Sequence, residues 1–416
     1  MKTKFTNTMN VKMKNHKAIK YPILLFFTVI GFIACKKSTT GASQVTPPVV
    51  VTPKDTSSLL SISQALNLGS PKISLNPDTI YSSFPFNDGL FRPLPGGFED
   101  KIMSFHLPKG YMAVFAENSN GTGQSACFVA VDSAINANLP FRLRNNISYI
   151  RYIPINNPNK NGIADLHDAV VNAFGFQWFY GWSLNRSSFT GQQFVPMTWG
   201  KGSCTDTNIK YLIDRNDIDH LLSFNEPDNT TQSNVPVDTA IARYTIMQKT
   251  GLRLGSPATT QYQAVGQYTW LGQFMAKAAS LNLRIDFIPI HWYDWGNQTD
   301  SSSTDSLTAV GVFNRFTKYV QSVHAAYPGI PIWITEFNAN VNRTSTPVHE
   351  YFMKFATDWL NNSAQSYVER YSYFFEANHP ATNTDNTLTN IGQFWKNLSS
   401  VKSFSGNIIS DAVTIK

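Results

Sequence analysis

From residue 162 onward the chain repeats one arrangement: a short apolar run ending in a polar or aromatic cluster, then a longer amphipathic stretch, then another run. The runs are 162–165, 177–182 (QWFYGW), 194–199 (FVPMTW), 220–225 (HLLSFN), 253–256 (RLGS), 287–292 (FIPIHW), 331–335 (PIWIT) and 370–375 (RYSYFF). Runs of this length read as strands, and the stretches between them, for example 239–249, 269–279, 311–326 and 349–361, carry helical spacing. A helix after each strand returns the chain to the end where it began, so the strands must pair in parallel. Eight such units within roughly 240 residues predict a (β/α)8 TIM barrel, placed here at residues 156–400.

Polar residues gather at one end of these runs. Tyr180-Gly181-Trp182, Thr198-Trp199-Gly200, Asn225-Glu226-Pro227, His291-Trp292-Tyr293 and Thr335-Glu336-Phe337 all fall at C-terminal ends, where barrels of this kind assemble their sites. Core packing does not ask for carboxylates there, because a buried unpaired one is costly. Counting runs puts Glu226 on the fourth strand and Glu336 on the seventh, across the mouth from each other. Two carboxyls so placed can serve glycosidic bond cleavage: one protonates the leaving oxygen, the other attacks the sugar carbon or activates water.

The neighbours fit that chemistry. His291 and Tyr293 share a strand face by period-two alternation. Either can hydrogen-bond Glu336 and keep it ionised, with Tyr293 preferred, while burial and the nearby charge are expected to raise Glu226. Tyr180, Trp182, Trp199, Trp292, Trp295 and Tyr373 offer aromatic faces to the apolar faces of sugars, and Trp182, Trp199 and Trp295 are the preferred contacts. Glu376 and Asp294 read as rim residues, Asp228 as a turn cap, Glu117 as a solvated turn residue and His220 as structural. No Cys/His cluster has metal-ligand spacing and no Gly-rich phosphate loop follows a strand, so neither metal nor cofactor is expected.

The ordered segments WFYGWS, FVPMTWG, LLSFNEPD, RLGSPA, DFIPIHWYDW, PIWITEF and RYSYFFEA resemble glycoside hydrolase family 128, the Asl1-like β-1,3-glucanases of the barrel clan, over residues 162–398. The resemblance implies a retaining, endo-acting hydrolase of laminarin-type β-1,3-glucan. It makes Glu226 the acid/base, Glu336 the nucleophile and Asn225 a hydrogen-bond partner of the sugar 2-hydroxyl. The linkage rests on the resemblance alone. The residues themselves leave open another β-linked polysaccharide, such as agar, galactan or xylan, or a surface glycan-binding protein on an inactive barrel.

The first 155 residues divide into three. Residues 1–35 combine a lysine-rich stretch with a short apolar run ending in Phe32-Ile33-Ala34-Cys35, which resembles a lipoprotein signal with Cys35 as the lipid-attachment residue. That implies an exported protein at the bacterial outer membrane or cell surface, touching the membrane through the anchor only. Residues 36–71, rich in Ser, Thr, Pro and Val, read as a tether. Residues 72–155 carry short strand-like runs with turn signals, the pattern of a small all-β Greek-key or β-sandwich domain. Tyr81 and Phe86, followed by Gly89, resemble the first hairpin of βγ-crystallins, with the glycine one residue late. Asn145-Asn146-Ile147-Ser148 only half matches that family's calcium signature, and no calcium is expected. Residues 401–416 read as a tail.

Charge excludes one class of partner. The formal net charge of +7 arises in the leader. Eight of the 34 basic residues are lysines within residues 1–37, where no acidic residue occurs, so the remaining 26 face 27 acidic ones. No basic surplus is left for nucleic acid, and a monomer acting on a polysaccharide is expected. Cys127 and Cys204 could pair, but spacing does not assign the bond.

Overall fold

The computed structural model describes residues 58–84 and 90–414. The leader, Cys35 and most of the expected tether lie outside the described residues, as do Phe86 and Gly89. Among the described residues no helix is long and apolar enough to cross a membrane.

Nine strands come first: β1 (Leu60–Ser63), β2 (Lys72–Leu75), β3 (Thr79–Ser82), β4 (Phe91–Arg92), β5 (Ser104–Leu107), β6 (Tyr111–Ala116), β7 (Ser125–Ala130), β8 (Ile135–Asn138) and β9 (Tyr149–Pro154). One sheet has the order β2-β1-β5-β8 and the other contains β7-β6-β9-β3-β4. The expected start at residue 72 falls inside the first sheet, because β1 pairs antiparallel with both β2 and β5. The Ser/Thr-rich surroundings hid the alternation of Leu60 and Ile62, which are both fully buried.

Strand β6 explains why this region shows an unbroken apolar run. Tyr111, Ala113 and Phe115 face a core shared with Phe105, Phe128 and Ile150. Met112, Val114 and Ala116 face the other way, into the core of the second half of the chain. A strand covered on both faces has no polar side to advertise.

The second half is a mixed α/β fold. It runs β10 (Asn161–Ala164), α1 (Asp168–Phe174), β11 (Trp178–Tyr180), β12 (Gln193–Phe194), α2 (Asp206–Ile213), β13 (His220–Leu221), α3 (Val237–Met247), β14 (Arg253–Leu254), α4 (Trp270–Ser280), β15 (Ile288–Tyr293), α5 (Asp305–Ala326), β16 (Ile332–Asn338), α6 (Thr346–Leu360), β17 (Val368–Tyr373) and α7 (Asn390–Asn397). Threonines start several helices: Thr205, Thr269, Thr304 and Thr389 each accept a backbone N–H of the first turn, which satisfies a donor the helix cannot. The strand pairings here are parallel, in the order β12-β11-β10-β17-β16-β15, with β13 beside β14. Single parallel bridges, Met197 with Leu222 and Gly255 with Phe287, connect the two groups at either side. Between the strands lies an apolar cluster of Trp178, Tyr180, Val195, Met197, Leu222, Phe287 and Trp333.

The chain ends where it began. β18 (Ile408–Ser410) pairs antiparallel with β7, so the stretch expected as a tail supplies an edge strand. Three residues are too few for a periodic signal. Cys127 on β7 and Cys204 before α2 are both buried and free.

Candidate active site

The polar ends of the parallel strands converge on one open cleft of about 630 Å³. Trp182, Trp199, Asn225, Glu226, Tyr293, Trp295 and Glu336, all singled out from sequence, line it.

Glu336 sits within β16 and is only 6% exposed. The β15–β16 and β16–β17 registers both shift beside it, irregularities of the kind that re-aim a side chain. Its carboxylate is surrounded by donors. Tyr293 Oη donates to Oε2 at 2.6 Å, Trp182 Nε1 donates to Oε1 at 2.9 Å, and Tyr180 Oη lies 3.5 Å from Oε1.

Glu226 follows β13 and is half-buried. Its φ of 40° lies in the left-handed region, a cost that side chains usually avoid and that collects at functional positions. The backbone holds it there: Glu226 N–H donates to Ala258 O at 2.7 Å, and Asn229 N–H closes the turn on Glu226 O at 3.0 Å. On the side chain, His291 Nδ1 lies 3.1 Å from Oε1, and Asn229 Nδ2 donates to Oε2 at 3.2 Å. The same His291 nitrogen is 3.5 Å from Glu336 Oε2. One oxygen of each glutamate and a nitrogen of His291 therefore lie within 4.8 Å of one another. Tyr293 and Trp182 complete the surroundings of Glu336, and Asn229 those of Glu226.

The electrostatics correct one expectation. Burial pushes the Glu226 carboxyl up, but the hydrogen bond and charge of His291, joined by the Asn229 amide, outweigh it and hold the group below its usual range. The expected rise did not count His291, whose imidazole burial pushes down while Glu336 and Glu226 together lift it above its ordinary value. Burial and the Glu336 charge push the Tyr293 hydroxyl well up, so it remains a donor.

Three of the aromatics expected to face sugars are elsewhere. Tyr180 is fully buried, and its hydroxyl donates to Thr335 O at 3.0 Å, so it backs Glu336 and has no face free for a ring. Tyr373 is also fully buried, packed on Phe337 and Trp395 with its hydroxyl 2.6 Å from His349 Nδ1. Its side chain points away from the cleft, and Phe374, one residue on, lines the cleft instead, as period-two alternation requires. Trp292 faces α5 and α6 for the same reason, against Phe316 and Phe352. Asp294 is buried beneath the rim, bound by Arg315 through two bonds of 2.7 Å. Asp228 accepts from Thr260 N–H at 3.0 Å. His220 lies at the far end of β13. Burial pushes Glu376 up to about 7, and it is not among the cleft residues.

Sequence reasoning missed Asn229, Gln232, Thr260, Gln261, Tyr262, Val341 and Phe374, which complete the lining. Most lie on loops, where no periodicity marks them. Gln232 Oε1 accepts the Asn225 amide at 3.3 Å and Gln261 Oε1 accepts Tyr293 N–H at 2.8 Å, so both orient residues that were found. The only available signal was proximity: Asn229 and Gln232 stand three and six residues after Glu226.

Comparison with known proteins adds three findings. Residues 158–397 match the family described as the glycosyl hydrolase catalytic core. Among solved structures, the chain is similar to a variant of a GH128 subgroup I endo-beta-1,3-glucanase from Amycolatopsis mediterranei in complex with laminaritriose and laminaribiose, at 29% identity and TM-score 0.50, covering 58% of this chain and 99% of that one. The same enzyme in complex with laminaritriose gives 30% identity, TM-score 0.48 and coverage of 57% and 98%. A GH128 subgroup III curdlan-specific exo-beta-1,3-glucanase from Blastomyces gilchristii gives 28% identity, TM-score 0.45 and coverage of 57% and 98%. Among curated proteins no match was found.

Proposed function

The chain belongs to the family described as the glycosyl hydrolase catalytic core, matched over residues 158–397, and on that premise we propose that it is a glycoside hydrolase of family 128, a retaining endo-hydrolase of β-1,3-glucan with Glu226 as acid/base and Glu336 as nucleophile. The observation that carries the roles is the unequal treatment of the two carboxylates. Glu336 is buried and held by donors from Tyr293 and Trp182, as suits a group that must stay charged and aimed at one carbon. Glu226 is the more open of the two, at the cleft wall, where a glycosidic oxygen can reach it. Their oxygens approach within 4.8 Å, in keeping with the separation of about 5–5.5 Å that a direct attack needs, and shorter than the gap an intervening water requires.

The fold reading belongs to the same proposal. The parallel pairings and the two linking bridges support a (β/α)8 barrel with the cleft at the C-terminal ends of its strands. In the first half-reaction Glu226 gives its proton to the glycosidic oxygen, the bond from that oxygen to C1 breaks, and a Glu336 oxygen bonds C1. In the second, water attacks C1, its proton passes to the Glu226 carboxylate, and the Glu336–C1 bond breaks. Trp182, Trp199 and Trp295, which is 40% exposed, supply apolar faces for the sugar rings. Residues 1–35 are part of the proposal too, as an export signal with Cys35 lipid-anchored at the cell surface.

The test is oligosaccharide release by the chain lacking residues 1–36 from laminarin, curdlan, lichenan, xylan, agarose and galactan, beside Glu226→Gln and Glu336→Gln. Release from laminarin, lost in both variants, is the expected outcome. Release from another polymer alone overturns the substrate and keeps the roles. Binding without release from any polymer overturns the enzyme reading.

A further inference from the structure

Resting on the reading of Glu226 as acid/base, we infer that Asn229 is the positioning residue that keeps Glu226 in its carboxylate form in the free protein, and so sets the balance between the two half-reactions. The orientation of its amide is determined by its neighbours. Asn229 Oδ1 accepts the Thr231 N–H at 3.0 Å and the Thr231 hydroxyl at 2.9 Å. With its oxygen so engaged, the amide presents Nδ2 to Glu226 Oε2, 3.2 Å away. Turning the amide over would set Nδ2 against the Thr231 N–H, losing that bond, and aim an acceptor at a carboxylate. The backbone tightens the same turn, with Gln232 N–H donating to Asn229 O at 3.0 Å.

Other groups face the two carboxylates from several elements. His291 approaches Oε1 from β15 and is shared with Glu336 on β16. The Tyr293 hydroxyl, from β15, donates to Glu336, and the Tyr180 hydroxyl, from β11, lies 3.5 Å from it. Asp228, beside Glu226 in sequence, is bound to Thr260. Asn229 is thus the donor given to Glu226 alone, and it sits on the oxygen that His291 leaves free. A donor to the ionised form favours that form. It therefore opposes the first half-reaction, where Glu226 must carry a proton, and in the second it keeps the group ionised to receive one.

The experiment compares wild type, Asn229→Ala and Thr231→Val, reading the pH dependence of kcat/KM and kcat on a laminari-oligosaccharide. The Glu226 carboxyl is titrated in parallel by 13C resonance in the free protein, its signal identified by loss in Glu226→Gln. Removing the donor is expected to move both the basic limb of kcat/KM and the Glu226 titration upward by about one pH unit. Thr231→Val, which leaves Asn229 in place and removes one of the two bonds that orient its amide, should move both in the same direction by less, and decides the matter should Asn229→Ala fail to fold. Loss of activity with limb and titration unmoved would mark a merely structural residue and overturn the inference. If wild type cleaves no glucan, the proposed function fails, and the titration by itself still decides whether Asn229 holds Glu226 ionised.

Discussion

Tyr293 and Tyr373 each end a parallel strand, and the two side chains go opposite ways. Tyr293 reaches into the cleft and holds Glu336; Tyr373 turns outward to His349. Loss of one hydroxyl should therefore have different effects at the two positions. Tyr293→Phe removes a preorganised donor from the proposed nucleophile, and kcat on glucan is expected to fall by about 10²-fold with the circular dichroism spectrum unchanged. Tyr373→Phe should leave hydrolysis alone and lower stability by about 1–2 kcal/mol, read from the urea midpoint, because His349 loses a buried partner. Alternation put His291 and Tyr293 on one face, and that much was legible in the sequence. The split of labour between them was not. His291 serves both glutamates because its imidazole falls between them in space, a distance no spacing along the chain reports.

The foot of β13 shows what burial does to a whole strand end. His220 Nδ1 lies 2.6 Å from Asp219 Oδ1, and its Nε2 lies 2.9 Å from the Arg253 guanidinium. Arg253 has no lone pair to offer, so Nε2 accepts, Nδ1–H donates, and the ring is neutral. Burial holds His220 down to about 3 against the pull of Asp219, whereas in the unfolded chain it titrates near about 6.5. The stability it contributes is complete above about 6.5 and is lost progressively as pH falls toward its folded value, because the unfolded chain takes up a proton that the folded one refuses. The unfolding free energy from urea titration should decline between pH 6.5 and 4 with a steepest slope of about 1.4 kcal/mol per pH unit from this group. His220→Gln should be less stable at neutral pH but show a shallower decline, and an equal slope in the two proteins would remove His220 as the cause. The element itself was evident from HLLSFN. Its buried ion network was not, since Glu369, which completes it with two bonds of 3.0 Å to Arg253, is 116 residues away.

At the scale of the whole molecule, the all-β region is joined to the α/β region by a common core. Met112, Val114, Cys127 and Ile153 from its sheet lie in one buried cluster with Leu212, Met247 and Leu252. Arg151, 1% exposed, donates to Thr250 O and Arg215 O at 2.5 Å each. Gly251 shows how close the approach is: its φ is +62°, and a Cβ there would stand 2.5 Å from the Tyr149 hydroxyl. β18 then ties the far end of the chain back to β7. The accessory domain expected from sequence thus shares a core with the α/β region, and a fragment of residues 156–416 should be recovered insoluble or with a broad, early thermal transition. A sharp transition at the temperature of the longer chain would show the contact to be dispensable.

The sequence by itself determined the periodic parts: the strand and helix units, the parallel class of their pairing, the end of the strands where polar groups collect, and the pair Glu226 and Glu336. These follow from local rules, because side-chain alternation and helical spacing are properties of neighbouring residues. Tertiary structure alone decided which aromatics reach the cleft, the lowered rather than raised Glu226, the loop residues Asn229 and Gln261, the edge strand at 408–410 and the fusion of the two regions. Each of these depends on groups far apart in sequence brought within a few ångströms. Hydrogen bonds and charges act over that distance and take no account of how much chain lies between.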